Sequence, residues 1–560
     1  MNKFLAYPYF RIDALNGFIA LAIGLFSILT LLYSSKFMPA RRNSIFYYSC
    51  IFLTAIAACL TVLCNHLLLL LALWGFLGLT LYLLINTGQS HTEEMAKKTF
   101  IIIGGTDALM LLGVCLIYYL KGSWQMDNIR LELTSGLSIL AYGCIAIACF
   151  AKAGAMPFHS WLPDCAELSL TSVVAYLPAS LDKLLGIYLL ARLSLDLFII
   201  TPAVSALLMS IGAFTIIAAV FMALIQHNLK RLLGYHAVSQ VGYMLLGIGT
   251  ANPIGIAGGL FHMLNNAIYK SCLFFAAGDV ERQAQTLELD RLGGLAKSMP
   301  FTYISTLIAS LSISGIPPFN GFVSKWLIYQ GLISQIGTVN FVLRTASILG
   351  LVAAMFGSGL TIASFMKVLH AAFLGQRVAN GDGEKIQEAP WQMWLPCVIL
   401  AAICIIFGIF AYALPLRYFI FPAVSMVQYI DASDLLGNWM PVLATILLAC
   451  GMLLGYLFFK LGNLQSLFRQ DGAFVGGEIK DPETENMVTG TDFYNTIRDF
   501  RVLKIIYAQA EKGAFDIYTQ GKNMVFCIGR FLQYLHNGVL PTYLVWTLLG
   551  MIALFFIIVK

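Results

Sequence analysis

Apolar runs of about 20 residues follow one another along nearly the whole chain, separated by short polar or glycine- and proline-bearing segments. They predict about 15 spanning helices, one or two more or fewer because short or broken spans merge in such a reading. These fall near residues 13–35, 44–64, 65–86, 98–120, 136–157, 168–191, 201–226, 235–250, 254–277, 300–316, 319–337, 343–370, 392–414, 440–461 and 541–559. Barrel strands would alternate in polarity over about ten residues, and these runs do not. The expected fold is therefore all-α: a polytopic membrane helical bundle.

The pattern changes after residue 461. Residues 462–490 read as a polar linker rich in Gly, Asp and Glu. In 491–540, apolar positions such as Ile497, Phe500, Leu503, Ile506 and Ala510 recur at three- and four-residue steps, with Arg498, Arg501, Lys504 and Lys512 between them. That spacing predicts an amphipathic surface helix, about 75 Å long if continuous and so too long to cross a bilayer. It ends at Gly538 and Pro541, and residues 541–560 form a last spanning anchor. The expected organisation is a bundle (1–461), linker (462–490), lateral helix (491–540) and anchor (541–560). A rod tied down by a distant final span suits a protein that reaches along a neighbour.

Composition agrees with the pattern. Of 560 residues 59% are hydrophobic and 11% charged, and the mean hydropathy is +0.81. The net charge of +6 comes without a basic cluster dense enough for nucleic acid. Its positive residues sit in short loops instead: Lys36, Arg41 and Arg42, then Lys97 and Lys98, then Lys230 and Arg231. The positive-inside rule puts these loops in the cytoplasm and the N-terminus on the opposite side of an inner (cytoplasmic) membrane. The start, MNKFLAYPYFRID, has no small-residue cleavage site, so no removable leader is expected. Most of the twelve cysteines lie within apolar spans, and no C-x-x-C pair occurs. No cluster, metal or phosphate-binding loop is expected on this chain, and any redox work falls to partners.

Three lysines interrupt these runs. Lys152 lies in SILAYGCIAIACFAKAGAMPFHSWLPD, Lys270 in GGLFHMLNNAIYKSCLFFAAG and Lys325 in GIPPFNGFVSKWLIYQGL. An ammonium at the bilayer centre costs roughly 3 kcal/mol on insertion scales and more by other estimates, so such residues mark an ion pathway by default. Two of the three sit beside helix breakers: Gly154, Pro157 and Pro163 follow Lys152, and Gly315, Pro317, Pro318 and Gly321 precede Lys325, while Pro178 interrupts the span between. Paired breaks in two halves point to inverted repeats around an ion site. Lysine suits proton carriage because burial and a carboxylate neighbour shift its charge equilibrium in opposite directions, whereas arginine stays charged. Hydrogen-bonding side chains on adjacent turns relay between lysines too far apart to exchange directly. The bland alternative makes these lysines structural, paired with backbone carbonyls at helix breaks. His236 is read as packing, and Lys367 and His370 as residues that snorkel to the interface from the end of a span.

The strings AKAGAMPFHSWLPD, NLKRLLGYHAVSQVGYM, GGLFHMLNNAIYKSCLFFAAG and LGGLAKSMP…GIPPFNGFVSK resemble the antiporter-like subunits of respiratory complex I, shared with membrane-bound nickel–iron hydrogenases and Mrp cation/proton antiporters. The resemblance covers roughly residues 10–375. The terminal helix and span are similar to the distal, longest subunit type, and YLPASLDKLLGIYLLAR and FVGGE…GTDFYNT are closer to the hydrogenase branch. It implies that Lys152 and Lys325 are the broken-helix lysines, Lys270 the central one and His262 the first central histidine. It also implies that Lys183 joins the relay and that Asp107 is an acidic neighbour of Lys152. There are departures. The family's Trp-Glu pair reads Trp74-Gly75, its second central histidine is Asn266, its arginine three residues before Asp107 is Gly104, and the chain starts roughly two spans later. Either Asp107 or Asp182 then supplies the acidic partner of Lys152, or one coupling element is lost.

The resemblance implies a proton-translocating membrane subunit of a redox-driven complex, with related antiporter-like subunits and a peripheral redox arm as partners. Iron–sulfur clusters, with nickel–iron or flavin chemistry, would sit on those partners. The alternatives are an Mrp-type cation/proton antiporter subunit, the membrane subunit of an inorganic-carbon uptake system, and a scaffold that no longer moves ions.

Overall fold

The computed structural model describes residues 9–38, 44–88, 92–375, 386–425, 439–461, 491 and 494–559. The expected linker at 462–490, together with Arg41 and Arg42, lies outside them. The first helices are α1 (Ala14–Phe37), α2 (Ser44–Leu63), α3 (Leu67–Ile85), α4 (Thr92–Lys121), α5 (Gly136–Ala153), α6 (Trp161–Leu168) and α7 (Thr171–Leu197). Then come α8 (Pro202–Leu224), α9 (Leu229–Gly249), α10 (Pro253–Ala284), α11 (Pro300–Ser314), α12 (Asn320–Ile336), α13 (Phe341–Leu374) and α14 (Trp391–Ile409). A helical stretch Tyr412–Ile420 and the helices α15 (Phe421–Ser425) and α16 (Pro441–Leu461) follow. The strands described are Leu131–Glu132 and Phe198–Ile199, paired in parallel.

Every expected span position carries a helix. Among the described residues, 11 helices are long and apolar enough to cross a membrane. The other expected spans are α9 to α12. Of these, α11 and α12 are short, and α9 and α10 carry polar residues along their length. These more polar helices lie innermost, with every residue of α10 from Gly255 to Val280 buried. Protein there replaces lipid, so apolarity is not demanded. Glycines bring the innermost backbones together: a Cβ on Gly242 would lie 2.5 Å from the Gly212 carbonyl oxygen.

Both predicted breaks are real and share a geometry. α5 ends at Gly154 (φ +80) and α11 at Gly315 (φ +81), each in the left-handed conformation that glycine adopts without penalty. In each, the next residue's N–H reaches back to a carbonyl in the last helical turns, Ala155 to Phe150 and Ile316 to Leu311. Pro178 behaves differently from the expectation: α7 runs through it. Proline cannot donate at that turn, and the helix widens so that the Asp182 N–H bonds to Leu177, five residues back. The Ser180 hydroxyl adds a bond to the Ala175 carbonyl at 3.0 Å.

By its internal contacts the chain divides into residues 1–500 and 501–560. At the end of the first unit stands α17 (Asn495–Asp499). The second unit holds the amphipathic stretch, and it is not the single rod expected. α18 (Arg501–Glu511) and α19 (Ile517–Leu535) are separated by a turn at Gly513, whose φ is +75, and Asp516 caps the new helix start. The final helix, α20 (Leu540–Val559), is apolar throughout.

At one end of the bundle Lys98 (2.8 Å) and Arg231 (3.5 Å) both pair with Asp164, so two of the basic loops share a face. At α7's other end Arg192 is buried between Asp13 and Asp196, and Arg11 reaches Asp13, Asp127 and Asp196. This network joins the start of α1 and the end of α7 to the loop after α4.

Candidate functional site

A helix that stops inside an apolar bundle leaves carbonyls unbonded, and each costs several kcal/mol unless something donates to it. At the first break Phe150 is satisfied by Gly154 and Ala155, and Ala151 by the Trp161 indole at 3.0 Å. The Ala153 carbonyl is taken by the Lys183 amine from α7. At the second break the carbonyls of Ile313 and Ser314 accept from Lys325, at 2.8 and 3.4 Å. Each break is thus closed by a lysine from another helix, where the helix dipole favours a cation. The sequence alone placed Lys152 and Lys325 as the matched pair. At the level of the break, the match is Lys183 and Lys325.

Lys152 has a different environment. It is fully buried on α5, with its Nζ 3.7 Å from Asp182 Oδ1 and 5.5 Å from the Trp74 ring centre. Among the described residues, neither Nζ nor Asp182 Oδ2 finds a hydrogen-bond partner. Of the two carboxylates expected, Asp182 is the one that stands at ion-pair distance. Asp107, on α4, stands within electrostatic reach of Lys152, and its Oδ1 also makes no protein hydrogen bond. Gly75 faces outward, and a Cβ there would meet nothing within 4 Å. The side chain that touches Lys152 from α3 is Trp74. Because Asp182 and Lys183 are adjacent, their side chains diverge and serve two neighbours, Lys152 and the broken end of α5.

Lys270, fully buried at the centre of α10, donates to the Leu233 carbonyl at 2.9 Å and lies 5.7 Å from the Phe365 ring centre. His262, two turns earlier, is bonded on both nitrogens, Nδ1 to Ser324 (2.9 Å) and Nε2 to Gln240 (3.1 Å). Ser324 precedes Lys325, so His262 connects the central helix to the second break. Lys325 also donates to Ser358 at 3.0 Å, and its Nζ lies 4.6 Å from the Tyr243 ring centre. Ser358 is shared with the hydroxyls of Tyr243 and Tyr329, each at 2.9 Å. Asn266, in place of a second histidine, is fully buried with neither amide atom bonded to the protein.

Two residues that the sequence set apart from the site lie close by. Lys367 does not snorkel: it is 3% exposed and donates to the carbonyls of Leu224 (2.6 Å) and Gln226 (2.8 Å) at the end of α8. His236 packs as expected, fully buried with its ring 4.8 Å from that of Phe365, and its Nε2 also lies 2.7 Å from Ser364. The spacing of Lys367 carried no signal of this, since a lysine near the end of a span ordinarily reaches water.

A model of the family described as NADH:quinone oxidoreductase/Mrp antiporter, TM, matches residues 64–350. That span takes in Asp107, Lys152, Asp182, Lys183, His262, Lys270 and Lys325. The chain belongs to this family. It is an antiporter-like, multi-pass membrane protein. Hydrogenase-4 component B of Escherichia coli (strain K12) is 30% identical over 421 residues, covering 72% of this chain and 62% of that protein. A Na(+)/H(+) antiporter subunit of Alkalihalophilus pseudofirmus is 31% identical over 423 residues, covering 71% of this chain and 52% of that protein. The chain thus spans between half and two thirds of these relatives' length. The structure of the membrane-bound sulfane sulfur reductase, an archaeal respiratory membrane complex, matches with a TM-score of 0.78 over 97% of this chain and 89% of that chain. At 21% identity that likeness is one of fold.

Proposed function

We propose that this family member carries protons across a cell's inner (cytoplasmic) membrane, as one membrane subunit of a redox-driven complex that includes related subunits and a peripheral redox arm. The carriers would be Lys152, Lys183, Lys270 and Lys325, with His262 as a relay and Asp182 as the group that sets the charge on Lys152. The observation that carries this reading is the Lys152–Asp182 pair. A structural lysine would be bound to what it supports, whereas here both charged groups are wholly buried, 3.7 Å apart, with unbonded atoms on each. Buried polar atoms without protein partners call for water or a moving partner, and the same holds for Asp107 and Asn266. By its charge we read the Lys98–Asp164–Arg231 face as cytoplasmic and the start of α1 as lying on the other side. Likeness to hydrogenase-4 component B favours redox drive, and α18 and α19, amphipathic and ending in α20, suit a strap lying across a neighbouring subunit.

The test has two parts. The tagged protein, purified natively, should bring iron–sulfur-bearing partners with it, and recovery as a lone chain would count against redox drive. In inverted vesicles of the same membrane, Lys270→Ala should abolish acidification coupled to electron transfer while leaving the complex assembled. Unchanged acidification would make the bundle a scaffold. A second reading, cation/proton exchange without an electron donor, is favoured by the 31% identity to a Na(+)/H(+) antiporter subunit. It requires sodium-dependent proton flux in donor-free vesicles.

A further inference from the structure

Lys367 and His236 lie together where α8, α9 and α13 meet, and neither belongs to the row of lysines proposed as carriers. One helical turn before Lys367, Ser364 bonds His236 at 2.7 Å. Phe365, between them in sequence, packs on both His236 and Lys270. Lys270 in turn donates to Leu233, one turn before His236. Polar groups thus step from the central lysine through His236 and Ser364 to Lys367. Beyond Lys367 is a small cleft lined by Leu224, Ile225, His227, Thr491, Tyr494 and Arg498. At its rim His227 Nδ1 lies 2.7 Å from Asp290 Oδ2, with both side chains about two-fifths exposed (41% and 37%).

Chain from beyond α16 covers this cleft. The Thr491 hydroxyl donates to Asp290, the Tyr494 hydroxyl donates to the Ala363 carbonyl, and the Tyr494 ring centre lies 5.1 Å from Lys367 Nζ. Thr491 and Tyr494 are only 3% and 7% exposed, so the cover is packed rather than draped.

We propose that His236, Ser364 and Lys367 form a branch joining Lys270 to the surface at His227 and Asp290, and that Thr491 and Tyr494 are its plug. Imidazole and hydroxyl groups pass a proton by accepting on one side and releasing on the other. His236 has that freedom, because Nε2 holds Ser364 while Nδ1 makes no hydrogen bond to the protein. A branch left open would let the gradient leak back, which gives the plug its purpose. A displacement of Tyr494 would act on Lys367 directly, since its ring lies over that amine. The branch rests on the proton-carrying role proposed above, while the plug does not.

The plug is tested by thiol access in the full-length chain within its native membrane, with modification at position 364 read by mass spectrometry. Ser364→Cys, a near-isosteric change, should react slowly with a small water-soluble methanethiosulfonate. With Tyr494→Ala added, the rate should rise by about tenfold or more, as local opening requires. Tyr494→Phe, which keeps the ring over Lys367, should stay slow. Equal rates in all three would overturn the plug, whatever Lys270→Ala does to transport. The branch is tested in proteoliposomes of the intact complex under a valinomycin-set potassium potential. Tyr494→Ala should raise the passive proton leak, and adding Lys367→Met should abolish the rise. No rise, or a rise that survives Lys367→Met, overturns the branch.

Discussion

Replacing Gly315 with alanine tests whether the second break is built around its lysine. The residue has φ +81, where an L side chain costs about 1–2 kcal/mol. The new Cβ would stand 2.9 Å from Lys325 Cδ and 3.6 Å from its Nζ. The side chain must then retreat from the Ile313 carbonyl it holds at 2.8 Å, and a hydrogen bond from a charged group is worth about 1.5–3 kcal/mol. Together these give a destabilisation of about 2.5–5 kcal/mol. Gly104→Ala is the control: an added Cβ meets nothing within 4 Å on a helix, and alanine there should stabilise by about 0.5–1 kcal/mol. The assay is denaturant-induced unfolding of the purified protein in detergent, paired with proton flux in vesicles. If Gly315→Ala unfolds within about 1 kcal/mol of the parent, well under the sum above, and flux is intact, the idea that the glycine exists to admit the lysine is refuted.

Three further outcomes are expected. Asp182→Asn removes a charge 3.7 Å from Lys152, worth about 4–5 kcal/mol at an effective dielectric of about 20, so it should lower thermal stability and flux more than Asp107→Asn; the reverse order would make Asp107 the true partner. Arg192→Met, which leaves Asp13 and Asp196 to Arg11, should cost up to about 3–5 kcal/mol in denaturant unfolding, with part recovered by adding Asp13→Asn; strict additivity of the two changes would show that they do not interact. Lys325→Arg should keep the break satisfied and the protein folded but stop proton flux, since arginine does not release its proton, and flux at the parent rate would remove Lys325 from the path.

The sequence exposed the bundle because lipid-facing helices must be apolar for a full crossing, and both breaks because Gly154 and Gly315 stand beside prolines. What it hid was how each break is closed. That depends on which side chain reaches Ala153 or Ile313 from another helix, and nothing in the spacing of Lys183 or Lys325 encodes it. The same limit applies to Lys152, whose two candidate partners were separated only once α7 wound past Pro178 and turned Asp182 toward α5. Lys367 was misread because its position near a span end is ordinary for a snorkelling residue. Its true role depends on the carbonyls left open at the end of α8, invisible until the helices pack. The rod was overestimated for a local reason: Gly513 sits inside a good helical period, and periodicity does not register a left-handed turn.

The two rival accounts of these lysines, structural plug and proton carrier, are compatible once their partners are considered. Lys183, Lys270 and Lys325 all hold backbone carbonyls. A lysine amine keeps N–H donors whether or not it carries the extra proton, so a carbonyl anchored by it stays bonded in both states. The fold therefore tolerates a change of charge that an ion-paired anchor would not, because breaking a buried pair strands its partner. Lys152 is the exception, held by no carbonyl and facing Asp182 across 3.7 Å. Its charge is coupled to a carboxylate, and that carboxylate is the neighbour in sequence of Lys183, which seals the end of Lys152's own helix. A shift of α7 at the wide turn around Pro178 would move both at once, changing the charge balance at Lys152 and the closure of α5 in a single step. On the proposed proton-carrying role, three side chains on two helices give the first half of the bundle a means of joining protonation to conformation, and the second half, where carbonyls and the Ser358 hydroxyl hold Lys270 and Lys325, can receive what the first half sends.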